Sequence, residues 1–181
     1  MKTRTISAAA LAVAVLALQP AYSQEMKAKP ASDAAPMMTI DRDTFLKMVG
    51  SSNVWEIESS KLAQDNAKAA DLKDTANMIV ADHQKASDKL KMTLEGKGGA
   101  APAPELNVKH RKMLDQLQAA KGSDFDMLYL DMQAQAHMEA VASFRTYAGA
   151  GDDQELVGFA KDTLPSLETH LGHVKMLIAK M

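Results

Sequence analysis

The chain has no cysteine, which excludes disulfides, thiolate metal sites and a lipid-modified cysteine at a processed N-terminus. Aromatic residues make up only 4%, too few for a β-sandwich core. The remaining apolar residues (Leu, Ala, Met, Val and Ile) favour closely packed helices. The formal net charge is only −2 and no basic patch appears, so a nucleic-acid partner is not expected. The sequence has no nucleophilic triad, phosphate loop or nucleotide fingerprint. Its glycine-rich run at Gly96–Gly99 follows a helical pattern rather than a strand. No apolar run reaches the roughly 20 residues that span a bilayer.

The apolar run from Ile6 to Leu18 follows Lys2 and Arg4 and precedes Ala21-Tyr22-Ser23, which puts small residues at the two positions a signal peptidase reads. Residues 1–23 are therefore expected to be a signal peptide, with no stable membrane span after cleavage. A periplasmic location is expected, with secretion as the alternative. Residues 24–40 carry Pro, Ala, Ser and charge without periodicity and read as a flexible tether. Residues 41–181 form one domain, long enough for a single core.

Apolar positions in that domain recur at three-four spacing, which predicts four long helices and a short one. Asp41 is a candidate N-cap for the first, whose stripe is Phe45, Val49, Ser52, Glu56, Ser59 and Ala63, broadened by Trp55 and Leu62. Asp71 is a candidate cap for the second, with stripe Ala76, Ile79, His83, Ala86 and Leu90. Gly96–Pro104 is the one clear loop, and a short helix follows from about Glu105 to Ala119. Ser123 or Asp124 is expected to cap the next helix, with stripe Asp126, Leu130, Ala134, His137, Val141 and Phe144. Asp152 with Glu155 resembles a capping box before the last helix, in which Pro165 should produce a kink. The fold class expected is an all-α bundle.

Polar residues interrupt these stripes. An imidazole or carboxylate on a core-facing stripe costs free energy unless a partner satisfies it. Counting residues from a turn near Ala69–Asp71 places Glu56 level with His83, and His137 falls mid-helix too. Glu56, His83 and His137 are thus expected in a central layer, with His170 about 10 Å away and level with Asp126 and Tyr129 in a regular helix, joining the central layer only if the kink at Pro165 brings it down. His173 lies one turn from His170, and such an H-x-x-H pair can chelate an ion. The candidate metal ligands are Glu56, His83, His137, His170 and His173. Asp82, Asp126 and Tyr129 are candidates for the surrounding polar network, with Asp82 either solvent-facing or orienting an imidazole. His110, in a charged stretch, is expected on the surface. Met78, Met92, Met113, Met127, Met132, Met138 and Met176 are expected mainly as core packing.

Several segments resemble the family called domain of unknown function 4142. They are Met78–His83 (MIVADH), Phe125–Tyr129 (FDMLY), the run to His137–Ala140 (HMEA), Leu164–Leu171 (LPSLETHL) and Glu56–Ala63 (EIESSKLA). The resemblance covers about Asp41 to Ile178. It implies an exported bacterial, ferritin-like four-helix domain of the periplasm or outer membrane, with no established reaction. Ferritin-like di-iron sites use E-x-x-H on two helices, but the residues three before each histidine are Val80, Asn107, Ala134, Leu167 and His170. A di-iron centre is therefore not expected. A single imidazole-bound transition-metal ion (Zn, Cu, Ni or Fe) fits better. The expected role is metal binding in a stress-related or envelope function, leaning away from an enzyme, in a chain that could form a homo-oligomer. The alternatives are an interaction module whose histidines form a metal-free polar network, and an oxidoreductase with an open metal position.

Overall fold

The structure is a computed structural model that describes residues 39–96, 103 and 105–181. The expected signal peptide and nearly all of the expected tether lie outside the described residues. Those described form five helices and no strand: α1 (Arg42–Asn66), α2 (Ala70–Glu95), α3 (Val108–Ala119), α4 (Ser123–Ala150) and α5 (Gln154–Ile178). The fold is all-helical, as the stripes predict. Among the described residues no helix is long and apolar enough to cross a membrane.

Local chemistry sets the helix ends, and it differs in places from the expected caps. Asp41 caps α1 as expected, accepting the Thr44 amide at 2.8 Å and the Thr44 hydroxyl. Asp71 does not cap α2. The N-cap is Ala69, without a side-chain bond, and Asp71 sits in the first turn. The short helix starts at Val108, capped by Asn107, which accepts the His110 amide. Neither Ser123 nor Asp124 caps α4. Gly122 does, at φ 62°, a left-handed conformation that glycine adopts without steric cost. Asp153 rather than Asp152 caps α5, accepting the Glu155 and Leu156 amides. Asp152 instead accepts the Tyr147 hydroxyl and the Arg42 amide. Pro165 does not interrupt α5. It and Lys161, whose carbonyl loses its partner, are both exposed.

α1 packs on α2 and α4, α5 packs on α2 and α4, and α3 covers α1 and α4. The buried side chains form two apolar clusters. One gathers Trp55, Leu72, Leu117, Phe125 and Leu130 with others. The second gathers Phe45, Leu46, Phe144, Leu156 and Phe159 with others. α1 and α5 run from the second cluster towards the first, and α2 and α4 run the opposite way. A polar layer lies between the two.

Candidate metal centre

The layer arises because polar residues occupy the changeover between clusters on each long helix. On α2, His83 separates Leu72 and Ala76 of one cluster from Leu94 of the other. His137 does this on α4 between Ala136 and Val141, and His170 on α5 between Leu167 and Val174. On α1 the changeover falls between Val49 and Trp55, where Asn53 sits.

His83, His137 and His170 are all buried. Their ring centroids are 5.3–5.8 Å apart, and one ring nitrogen from each lies within 4.8 Å of the others. The opposite nitrogen of each ring faces an acceptor. His83 Nδ1 is 2.8 Å from Asn53 Oδ1, and the Asn53 amide nitrogen donates to Ser87 Oγ, which turns its carbonyl to the ring. His137 Nδ1 is 3.1 Å from the Gln133 carbonyl. His170 Nε2 is 3.2 Å from Asp82 Oδ2, and the other Asp82 oxygen accepts from Lys85 at 3.0 Å.

These acceptors fix the tautomers. Each outer nitrogen carries the proton it donates, so each inner nitrogen of a neutral ring presents a lone pair. His137 Nε2 and His170 Nδ1 face each other at 3.3 Å, and His83 Nε2 is buried without a partner. Protonating a ring is disfavoured. Burial holds His83 well below the usual histidine range, reinforced by His137 and His170. Burial also brings His137 down to about 3. His170 is lowered by burial too, against the opposing pull of Asp82. Three lone pairs thus converge in a space from which protons are discouraged.

Glu56 is buried as its stripe predicts, but it stands behind His137. Its Oε1 is 3.4 Å from His137 Nδ1, the nitrogen facing away from the other two rings. Neither of its oxygens has a hydrogen bond. Burial pushes its carboxyl well above the ordinary range, with a weaker opposing pull from Gln133. Asp82 orients an imidazole. Burial raises its carboxyl, but Lys85 and His170 outweigh that and hold it below the ordinary value.

The expected second layer does not assemble. His170 joins the central layer instead. Tyr129 bonds Ser60 Oγ at 2.9 Å, and the Asp126 carboxylate accepts the Lys68 amide at 3.3 Å. His173 is half-buried, with its Nδ1 buried and unpartnered. His110 is not a surface residue. It is buried, bonds Ser51 Oγ at 2.7 Å and stacks on Trp55. Of the methionines expected in packing, Met113 and Met132 are buried, whereas Met92, Met127, Met138 and Met176 are exposed. The apolar stripes do not single out Asn53, whose position three residues before Glu56 is the available signal.

Fold and site together define a helical bundle with a buried cluster of three neutral histidines. The chain belongs to the family described as domain of unknown function (DUF4142), whose model matches residues 27–177. No curated protein sequence matches it. Among solved structures it is similar to CopM in the Cu(II)-bound form, at 19% identity and a TM-score of 0.65, over 79% of this chain and 99% of that one. The similarity is one of fold.

Proposed function

We propose that this protein binds a single transition-metal ion through the inner nitrogens of His83, His137 and His170. The observation that carries the reading is the convergence of three unprotonated nitrogens whose outer partners are all acceptors. A hydrogen-bonded polar core needs donors between its acceptors, and with the tautomers set by the outer acceptors the contact between His137 Nε2 and His170 Nδ1 has no proton to share. A cation satisfies all three at once. Metal–nitrogen bonds of about 2.0–2.1 Å place ligand nitrogens roughly 3.3–3.6 Å apart. The His137–His170 pair already has that spacing, and the wider separations close with a shift of about 1 Å, mainly of His83. Asn53, Gln133 and Asp82 orient the rings from outside, and Glu56 and His173 stand nearby as further candidates.

Three imidazoles suit copper, zinc or nickel, and the usual affinity order favours copper. The relative of similar fold was solved with Cu(II), so copper is the first ion to test. We read α3 as the crossover that lets α2 and α4 run in the same direction, the arrangement of a ferritin-like bundle. The N-terminal segment is read as an export signal and the role as metal handling in the periplasm. Cell fractionation with an antibody checks the location.

The test is metal analysis and equilibrium dialysis of tag-free protein beside a His83→Ala/His137→Ala variant. Wild type should retain about one equivalent and the variant almost none, since three-ligand chelation is lost. Equal metal content in the two overturns the reading. The second reading, a structural polar network, has support in the buried Ser60–Tyr129 and Gln133–Ser59 hydrogen bonds. A large fall in the variant's Tm, with no metal in either protein, favours it.

A further inference from the structure

A cavity of about 230 Å³ lies between α1–α2 and α4–α5 and reaches the surface past Asp88 and Lys91, both exposed. Its lining divides along the bundle. Leu46, Phe144 and Phe159 belong to the second apolar cluster, Leu90 packs against it, and together they form one end. Ser52, Asn53 and Ser87 form the other end, on the outer, Nδ1 side of His83. Ala86, Ser87 and Leu90 are only half-buried, because this face of α2 meets the space rather than a packed neighbour. Interiors normally close such gaps, and a cavity of about 150 Å³ is already large enough to hold benzene.

Two hydroxyls at the polar end have protons to give. Ser87 Oγ accepts from the Asn53 amide, and among the described residues its own O–H has no acceptor. The Ser52 hydroxyl makes no hydrogen bond to any described residue. Asn53 is already engaged, with its carbonyl on His83 Nδ1 and its amide on Ser87. A carbonyl oxygen, with two lone pairs and no proton of its own, is the complementary group. At the mouth, Asp88 and Lys91 carry opposite charges, so the rim favours neither sign, and a charge carried in among Leu46, Leu90 and the phenylalanines is costly. Phe144 and Phe159, 5.9 Å apart at 48°, offer ring faces and edges to a flat body.

We propose that this cavity binds a small, uncharged aromatic carbonyl compound, its ring against Phe144 and Phe159 and its oxygen accepting from Ser52 or Ser87. The site is separate from the three inner histidine nitrogens, and a guest there touches no ion held by them. An oxygen on Ser87 is linked to His83 Nδ1 only through Asn53.

NMR titration of the full chain without added metal tests this, so the outcome does not depend on the metal reading. Acetophenone and α-methylstyrene are probes of nearly the same shape, the second carrying a CH2 group in place of the oxygen. Acetophenone should shift the backbone amides of residues 49–53 and 86–90 saturably. Ser52→Ala/Ser87→Ala removes both hydroxyls and should weaken acetophenone about 3- to 10-fold without weakening α-methylstyrene. Ala86→Trp fills the chamber from its half-buried wall, and Leu90→Trp does so one turn further from His83. Either filling variant should abolish binding of both probes, and having two guards against one failing to fold. Absence of a saturable shift at these residues overturns the proposal. So does a double serine variant that treats the two probes alike, or binding that survives the filling variants.

Discussion

What separates the three imidazoles chemically is the acceptor behind each: an amide for His83, a backbone carbonyl for His137 and a carboxylate for His170. The backbone carbonyl cannot be removed by substitution, but the other two acceptors can. Asn53→Leu leaves His83 Nδ1 without an acceptor, so its proton is free to move to Nε2 and cover the lone pair. Metal affinity should fall about 10- to 100-fold, with the tautomer change visible in the ring-nitrogen NMR signals of His83. Asp82→Asn keeps an acceptor oxygen and should cost less than Asp82→Leu. Equal losses in the two Asp82 variants would mean that charge matters here rather than ring orientation. Glu56 is a separate case, because neither oxygen has a hydrogen bond and burial raises its carboxyl. The unfolded chain ionises this group above about pH 4.5 while the fold holds it neutral, so its contribution to stability is lost as pH rises. Glu56→Gln should therefore be more stable than wild type at pH 8, by about 1 kcal/mol or more, and close to it at pH 4. Urea unfolding at both pH values checks this.

At the scale of elements, the helices were legible because stripes of Leu, Phe, Ala and Val keep the period of 3.6 over many turns. Their ends were less so, since Ala69 and Gly122 cap without side-chain oxygens. Those small errors explain the misplaced layer. A turn centred near Lys68 rather than Ala70 makes Asn53, not Glu56, the residue level with His83. A turn centred near Asp152 brings His170 within about 5 Å of the level of His137, close enough for the rings to meet. The charged, exposed neighbours Lys109, Arg111 and Lys112 make His110 look like a surface residue in the sequence, and only the packing of α3 turns it inward. Ser51 Oγ links it to the Asn107 amide, which ties the start of α3 to α1. His110→Ala should speed hydrogen exchange through α3 while leaving α5 unchanged. The α4–α5 turn offers a second check. A Cβ on Gly151 would lie 2.6 Å from the Tyr147 ring, which itself stacks on Phe45 at 3.9 Å. Gly151→Ala should cost about 1–3 kcal/mol from overpacking, read as a lower urea midpoint with an unchanged slope.

For the whole molecule, the polar layer makes stability a function of pH and, with the proposed metal binding, of metal as well. Burial holds His83, His137 and His170 below the ordinary histidine value, His137 as far as about 3. The unfolded chain takes up protons on these residues near pH 6.5, whereas the metal-free fold refuses them. The unfolded state then binds more protons than the native state, so stability must fall as pH drops below about 6.5. Each imidazole that stays neutral adds a slope approaching about 1.4 kcal/mol per pH unit. His170 should contribute least, because Asp82 partly offsets its burial. Glu56 acts with the opposite sign above about pH 4.5, so the slopes partly cancel between pH 4.5 and 6.5, and a Glu56→Gln background exposes the histidine effect. In that background, Tm should fall steeply from pH 7 to pH 5, and a further His83→Ala change should flatten the slope. A bound ion requires unprotonated rings, so it adds stability at pH 7 that is lost on acidification as protons displace it. Copper-loaded protein should therefore show a larger drop in Tm between pH 7 and 5 than metal-free protein. Parallel pH profiles for the two forms would place the ion outside the histidine layer.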